Sequence, residues 1–227
     1  MSDVILYGAG RGASVAHRFL TSDSSHKIVG FTVDAQYMTA TTYRGLPVVA
    51  FEEVEKHYPP ESCRMMILLG YQYMNDLRAR KYQEAKEKGY TLESYVASNI
   101  FRVEPISVGE NCFILDNQSI SLDVTIGNNV VMWSSNHVGD MTEIRDHAWL
   151  SSHITIAANV EIGERAFLGI GAVISNKTKI GKESLVGAGA MVVDNIPDGA
   201  VSLDGKLIIH NMPSSVFMRV MMAKGKL

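Results

Sequence analysis

The sequence predicts an α/β sheet domain followed by a parallel β-solenoid, with a short cap at the end. Three observations carry this. Through roughly residue 98, short apolar runs alternate with helical patterns. From Pro105 an aliphatic residue occupies the fourth place of every hexad for 15 consecutive hexads. After Val193 that period stops at Asp194-Asn-Ile-Pro-Asp-Gly199. The expected boundaries are 1–98, 99–200 and 201–227.

In the first part, Val4-Ile-Leu-Tyr7 is a short apolar run ending in Gly8-Ala-Gly10-Arg11-Gly12-Ala13. A helical pattern follows, with Val15, Ala16, Phe19 and Leu20 on one face. Ile28 to Val33 is a second strand ending at Asp34, and Pro47-Val-Val49 a short third. Phe51 to Lys56 suits a short helix, and Met65 to Leu69 a buried strand. Met74 to Glu87 is a charged helical stretch closed by Gly89. Strands alternating with helices imply a parallel sheet covered by helices. About 100 residues make only half of a dinucleotide-binding fold.

In the second part a period outranks local propensity. The fourth hexad position runs from Val108 and Ile114 through Val138 and Ile156 to Val192, without a slip. Apolar residues are only 46% of the chain, so chance does not fill such a column. The second position is mostly small or apolar, and the fifth is often Gly, as at Gly139, Gly169 and Gly187. Each hexad therefore makes a short strand and a bend. Its second and fourth side chains point inward, its third and fifth outward. Gly and Asn at the bends supply the unusual backbone angles. With three hexads per coil, residues 18 apart stack and 15 hexads give five coils.

Composition narrows the function. Twenty-one Lys and Arg against 24 Asp and Glu leave a net charge of −3, with no basic surplus for nucleic acid. Cys63 and Cys112 are too few for a disulfide framework and lack metal-finger spacing. The first residues lack a basic segment of the signal-peptide kind. The longest purely apolar stretch, Met65 to Leu69, is far short of a membrane span. The expectation is a cytoplasmic, reduced, soluble protein with no membrane insertion.

Gly8-x-Gly10-x-x-Ala13 follows a strand and opens a helix, the setting in which such a motif binds phosphate. Glycines let a phosphate approach the backbone, and the helix start offers N–H groups. Asp34 ends the second strand, where an acidic side chain meets a ribose or base edge. The glycines also suit simple strand–helix packing. In the repeat, Gly169-Ile170-Gly171 and Gly187-Ala188-Gly189 lie 18 residues apart and share a corner, with Ser152 one coil earlier. Three histidines, His137, His147 and His153, fall within four consecutive hexads. His137 is in an outward third position and His153 at a bend on the same side.

The hexad run resembles the left-handed β-helix of hexapeptide-repeat acyltransferases. With a small Rossmann-like domain in front, the chain resembles the sialic-acid O-acetyltransferase, bacillosamine and perosamine N-acetyltransferase group. That resemblance covers nearly all of residues 3–200. It implies three faces, a left-handed winding, a homotrimer and acetyl-CoA as co-substrate. It implies a UDP- or dTDP-linked sugar held by the first domain through Gly8, Gly10, Arg11, Gly12 and Asp34. It places cofactor contacts at Ala158, Ile170 and Ala188.

The resemblance also puts the catalytic histidine at Asp140 and a second histidine at Trp149, and this chain departs from it at both. Some relatives carry Asn-His-x-Gly-His-His where this chain has Asn136-His-Val-Gly-Asp140-Met. The reading is that His137, oriented by Asp140, accepts the proton from the attacking amine, with His153 a further candidate. Imidazole suits that role because it titrates near neutrality. Asp140 itself as base, or an amine that arrives neutral, are the alternatives.

The expected activity is acetylation of an amino group on a nucleotide-linked sugar by direct attack on the thioester. Acylation of a hydroxyl, a non-catalytic sugar-nucleotide-binding protein and a dehydrogenase are the rivals. No metal is expected, because histidine gaps of ten and six do not reproduce the spacing of hexapeptide-repeat carbonic anhydrases. In the tail, Leu207 to His210 suits a strand and Ser214 to Lys224 a Met-rich helix capping the solenoid.

Overall fold

The computed structural model describes residues 3–203, 206–208 and 212–223. The chain divides into two compact units, residues 1–70 with 78–95 and residues 71–77 with 96–227. His210, Lys224 and Lys226 lie outside the described residues.

In the first unit, β1 (Asp3–Tyr7), α1 (Arg11–Asp23), β2 (Lys27–Val33), β3 (Thr42–Tyr43), β4 (Leu46–Ala50), α2 (Val54–His57) and β5 (Cys63–Ile67) follow in order. The helix α3 (Asp76–Glu87) comes next. The sheet order is β3-β4-β2-β1-β5. Only β3 runs antiparallel, pairing Tyr43 with Leu46 across the Arg44-Gly45 turn. The four parallel strands are apolar because helices cover them. Ile5, Tyr7, Phe51, Met65 and Ile67 form one buried cluster, and Ala13, Ala16 and Leu20 are the buried residues of α1.

The second unit is a stack of two-residue strands, each hydrogen-bonded in parallel to the strand 18 residues on: His137↔Thr155, Trp149↔Phe167, Glu143↔Glu161. These strands form three sheets. The fourth-position column fills the interior, with Ile114, Val138, Leu150, Ile156, Ile162, Leu168 and Ile174 at most 1% exposed. Every sixth residue from Asn111 to Gly189 has φ between +54° and +70°, the left-handed bend that turns the chain onto the next face. Asn, Gly and His tolerate that region best, which supplies a structural reason for His147 and His153. His147 is further tied, its Nδ1 2.8 Å from Asn129 Nδ2.

The second hexad position is less apolar than its pattern suggests. Gln118 and Asn136 point inward and form a ladder. Asn136 N–H donates to Gln118 Oε1 (3.3 Å), and Ile154 N–H donates to Asn136 Oδ1 (2.8 Å). Gln118 and Asn136 also donate to Trp133 O at 2.8 and 2.5 Å. These bonds satisfy buried polar groups that would otherwise be costly.

The three faces differ in chemistry. One carries ion pairs, Glu143–Arg145 (2.8 Å) and Glu161–Lys179 (3.1 Å). A second carries Phe113, Val131, Trp149, Phe167 and Leu185, all buried. The third carries Ser119, His137, Thr155 and Val173 between Phe101 and Met191; apart from exposed Arg102 of its first strand, these strands hold no charge but the histidine when protonated, and we call it the uncharged face.

Residues 71–77 form a strap on the aromatic face, not the start of a helix. Tyr71 sits 5.2 Å from Trp149 and 4.8 Å from Phe167 between ring centres. Tyr73, Met74 and Asn75 all have φ near +54° to +63°, so the helix begins at Asp76, two residues later than the sequence pattern suggests. The strain is held by burial of Met74 and Asn75 and by Asn75 Nδ2, which donates to Arg165 O (3.1 Å). Asp76 pairs with Arg165 at 3.1 Å. The capping helix α4 (Ser214–Ala223) sets Arg219 over the Tyr73 ring.

Candidate active site

In the first unit, the β1–α1 loop presents backbone. Gly8 has φ +113°, and Gly12 approaches Leu68 so closely that a Cβ would collide with its carbonyl oxygen. Gly10 is the N-cap of α1, and no side chain caps the helix start. Arg11 is exposed beside it. Tyr43 Oη donates to Gly10 O (3.1 Å), joining the β3–β4 hairpin to the loop. Next to the loop lies a 190 Å³ pocket lined by Ala9, Val33, Tyr37, Thr39, Thr42 and Tyr43, among others. Its apolar walls, rings and hydroxyls suit a flat heteroaromatic ring.

Asp34 is committed elsewhere. Its Oδ1 accepts from Tyr7 Oη (2.6 Å) and Lys81 Nζ (2.8 Å), and the residue is 9% exposed. Burial, then the Asp34 hydrogen bond, drives the Tyr7 hydroxyl far above its usual pKa. Burial opposes the charge on Lys81, but its bonds to Asp34 and Glu84 prevail and raise its pKa. Lys81 is 47 residues from Asp34, with no period to reveal the pairing.

In the solenoid, Ser152, Ile170 and Ala188 stack on the edge between the aromatic and uncharged faces. Gly171 N–H donates to Ser152 O (3.0 Å) and Gly189 N–H to Ile170 O (2.8 Å). Gly169 is required by packing, since a Cβ would lie 2.5 Å from Ala188 N. Gly187 is similarly closed by Leu203, 2.7 Å from its would-be Cβ. Gly171 and Gly189 have φ +70° and +68° and open space outside them. Ile170, 54% exposed, rises from this strip, and exposed His153 stands at the bend one coil before Gly171. Ala158 lies on a different edge, stacked over Asp140, whose carbonyl accepts from Asn159 N–H (2.7 Å).

His137 stands exposed on the uncharged face, its Nδ1 3.4 Å from Ser119 Oγ. Asp140 turns to the preceding coil, where its Oδ1 accepts from Ser121 Oγ and from Leu122 N–H (3.1 Å). The same tie recurs along another edge, from Asn128 N–H to Asp146 (2.7 Å) and from Glu110 N–H to Asn128 (2.9 Å). The Ser121 and Leu122 bonds, with His137 nearby, hold the Asp140 carboxyl below its usual pKa. Asp140 is thus a corner tie that keeps a negative charge near His137. His153 is exposed at its bend. Trp149 is packed into the aromatic face and offers no imidazole where the resemblance has a histidine. Ser119 and Ser121 escaped the sequence reading, although the 18-residue stacking rule leads straight to them. Among the described residues, no cluster of three His, Cys, Asp or Glu could hold a metal ion.

The fold is similar to that of solved acetyltransferase structures. The acetyltransferase domain of PglB from Neisseria gonorrhoeae superposes with a TM-score of 0.79 at 19% identity, over 92% of this chain and 100% of that one. A mutant of perosamine N-acetyltransferase from Caulobacter crescentus gives 0.79 at 22%, over 93% and 98%. WeeI from Acinetobacter baumannii gives 0.75 at 19%, over 92% and 100%. At these identities the likeness establishes the fold. No protein-family model matches the chain, and no curated protein matches it.

Proposed function

We propose that the protein is an acetyl-CoA-dependent N-acetyltransferase acting on an amino group of a nucleotide-linked sugar. The carrying observation is the edge at Ser152, Ile170 and Ala188, where small residues and the open glycines Gly171 and Gly189 flank an exposed isoleucine beside a face bearing an exposed histidine. A pantetheine arm fits beside such an edge because the space outside Gly171 and Gly189 is open and the Ile170 side chain offers an apolar contact. The perosamine enzyme was solved with CoA and GDP-perosamine, and the PglB domain with acetyl-CoA, which supports the same assignment.

The sugar's nucleotide belongs to the β1–α1 loop, with pyrophosphate on Gly8, Gly10, Arg11 and Gly12 and the base in the 190 Å³ pocket. His137 takes the proton as the amine nitrogen bonds to the thioester carbonyl carbon. The same imidazolium returns it to the departing sulfur, leaving an amide and free CoA thiol. Ser119 positions the His137 ring, and Asp140 keeps a carboxylate near it. Asp34 acts by holding Tyr7 and Lys81, and any contact it makes with ribose uses its remaining oxygen. The uncharged face, with Phe101, Val103, Met191 and Val193 each more than half exposed, is where neighbouring subunits of a left-handed homotrimeric helix pack. The second cofactor edge at Ala158 then comes from a neighbouring copy.

One observation favours a second reading. Asp140, in place of the family histidine, is engaged as a corner tie. A sugar-nucleotide-binding protein without turnover would look the same there. Thiol release from acetyl-CoA with a panel of UDP-, dTDP- and GDP-linked amino sugars separates the two. Turnover with one sugar, lost in His137→Ala, supports the enzyme. Binding of a sugar nucleotide with no thiol release supports the rival.

A further inference from the structure

We propose that the groove along the outer side of α1 is a second phosphate-binding site, separate from the β1–α1 loop, in which Arg18 and Arg44 hold a phosphorylated small molecule. The groove has a volume of 790 Å³ and is lined by Val15, His17, Arg18, Phe19, Ser22 and Arg44, with Thr21. No Asp or Glu is among its described lining residues. In a chain of net charge −3, a groove with two guanidinium groups and an imidazole and no carboxylate is selective for anions. Neither arginine makes an ion pair among the described residues, although Arg64, Arg145 and Arg165 all do.

Arg44 arrives there by an unfavourable route. It is the first residue of the two-residue β3–β4 turn, with φ +51°, followed by Gly45 at +79°. Such turns favour Asn-Gly or Gly-Gly, and a long side chain is strained in the left-handed region. The hairpin is fixed against the helix through rings. Tyr43 meets Phe31 edge-on at 5.0 Å, and Phe31 stacks on His17 at 5.8 Å. That stack delivers the Arg44 guanidinium beside the imidazole.

The ligand class follows from the donors. Guanidinium forks match phosphate oxygens in pairs. Thr21 and Ser22 add hydroxyls, and Val15 and Phe19 offer an apolar wall for an attached ring or chain. The lining begins at Val15, about 7 Å along the helix from Gly10, and extends to about 18 Å at Ser22. The site therefore does not share its donors with the loop glycines. Burial, and then the Arg44 charge, hold the His17 imidazole below its usual pKa. Arg44 on the hairpin and Arg18 on α1 are the charged groups lining its groove, and the Phe31 ring covers its inner side. A bound dianion screens both cations and favours a proton on His17.

The test is a titration of the full chain with inorganic pyrophosphate, followed by the imidazole resonances of His17. Saturable movement of those resonances, with a rise in the His17 pKa, is the expected result. Arg44→Asn is the decisive variant, since it suits the turn better than Arg and removes only the cation. It should keep or raise Tm while weakening pyrophosphate at His17 about tenfold or more, and Arg18→Ala should do the same. Pyrophosphate that binds without moving His17 occupies the glycine loop alone and overturns the proposal. So does a His17 response unchanged in both variants.

Discussion

Gly171→Asn separates what the solenoid edge needs to fold from what it needs to bind. Gly171 sits at φ +70°, and a Cβ there meets nothing within 4 Å. Asn occupies the equivalent bend at Asn111, Asn117, Asn129 and Asn159, with φ of 56° to 58°. The substitution therefore imposes only the modest cost of an asparagine in the left-handed region, below about 1 kcal/mol. For a chain of this size that lowers Tm by roughly 2–4 °C or less. The new amide nevertheless projects from the strip between Ser152 and Ala188, where the pantetheine arm is assigned. A side chain that blocks even one or two of the arm's hydrogen bonds costs about 1–3 kcal/mol, or roughly 5- to 150-fold in affinity. Calorimetric titration with CoA, alongside a thermal melt, reads both quantities. Gly169→Ala is the contrasting control, because its Cβ would meet Ala188 N at 2.5 Å and should unfold the edge itself. A Gly171→Asn protein that melts normally and binds CoA as tightly as the parent would refute the assignment of this edge.

Other outcomes follow from the same geometry. His137→Ala should lower kcat by about 100-fold or more while leaving Tm unchanged, since the side chain is exposed; steady-state kinetics and melting check both. Asn136→Ala orphans the buried Ile154 N–H, whereas Trp133 O keeps its bond from Gln118. Urea unfolding should show a loss of about 1–3 kcal/mol. Asp140 has a folded-state pKa below its unfolded value, so its charge stabilises the protein above roughly pH 4. That contribution disappears as pH falls through the lowered folded value. Melts of the parent and Asp140→Asn should therefore differ near neutrality and converge in acid; a gap that persists unchanged at low pH would show that the charge is irrelevant.

The periodic half was the most legible because its constraint is collective. Each aliphatic residue from Ile114 to Val192 must face inward, so a single register fixes the column, the bends and the 18-residue stacking. The same rule located the shared corner of Gly169-Ile-Gly171 and Gly187-Ala-Gly189. What escaped were contacts without a period. The strap at Tyr71–Leu77 depends on Asn75 reaching carbonyls 90 and 91 residues away, and helix propensity carries no trace of that. The β3–β4 hairpin was reduced to one strand because Arg44-Gly45 lacks the Asn that usually announces such a turn. Gln118 and Asn136 broke an otherwise small or apolar position, and only stacking explains how their amides are satisfied.

The candidate site was legible in its location more than its chemistry. The 18-residue stacking of the corner glycines and the outward aspect of His137 both follow from the register. Asp140 and Asp34, however, are each held by partners the linear sequence hides. For Asp140 these are a serine and an N–H from the preceding coil, and for Asp34 a tyrosine and a lysine. A carboxylate named as a ligand contact from position alone can thus be a structural tie.

The most direct measurement is a crystal structure of the protein grown with CoA. The account predicts pantetheine density running along the edge at Ser152, Ile170 and Ala188, with its sulfur directed toward a His137 imidazole. Density for CoA on the charged Glu143–Lys179 face, or none at saturating CoA, would contradict it.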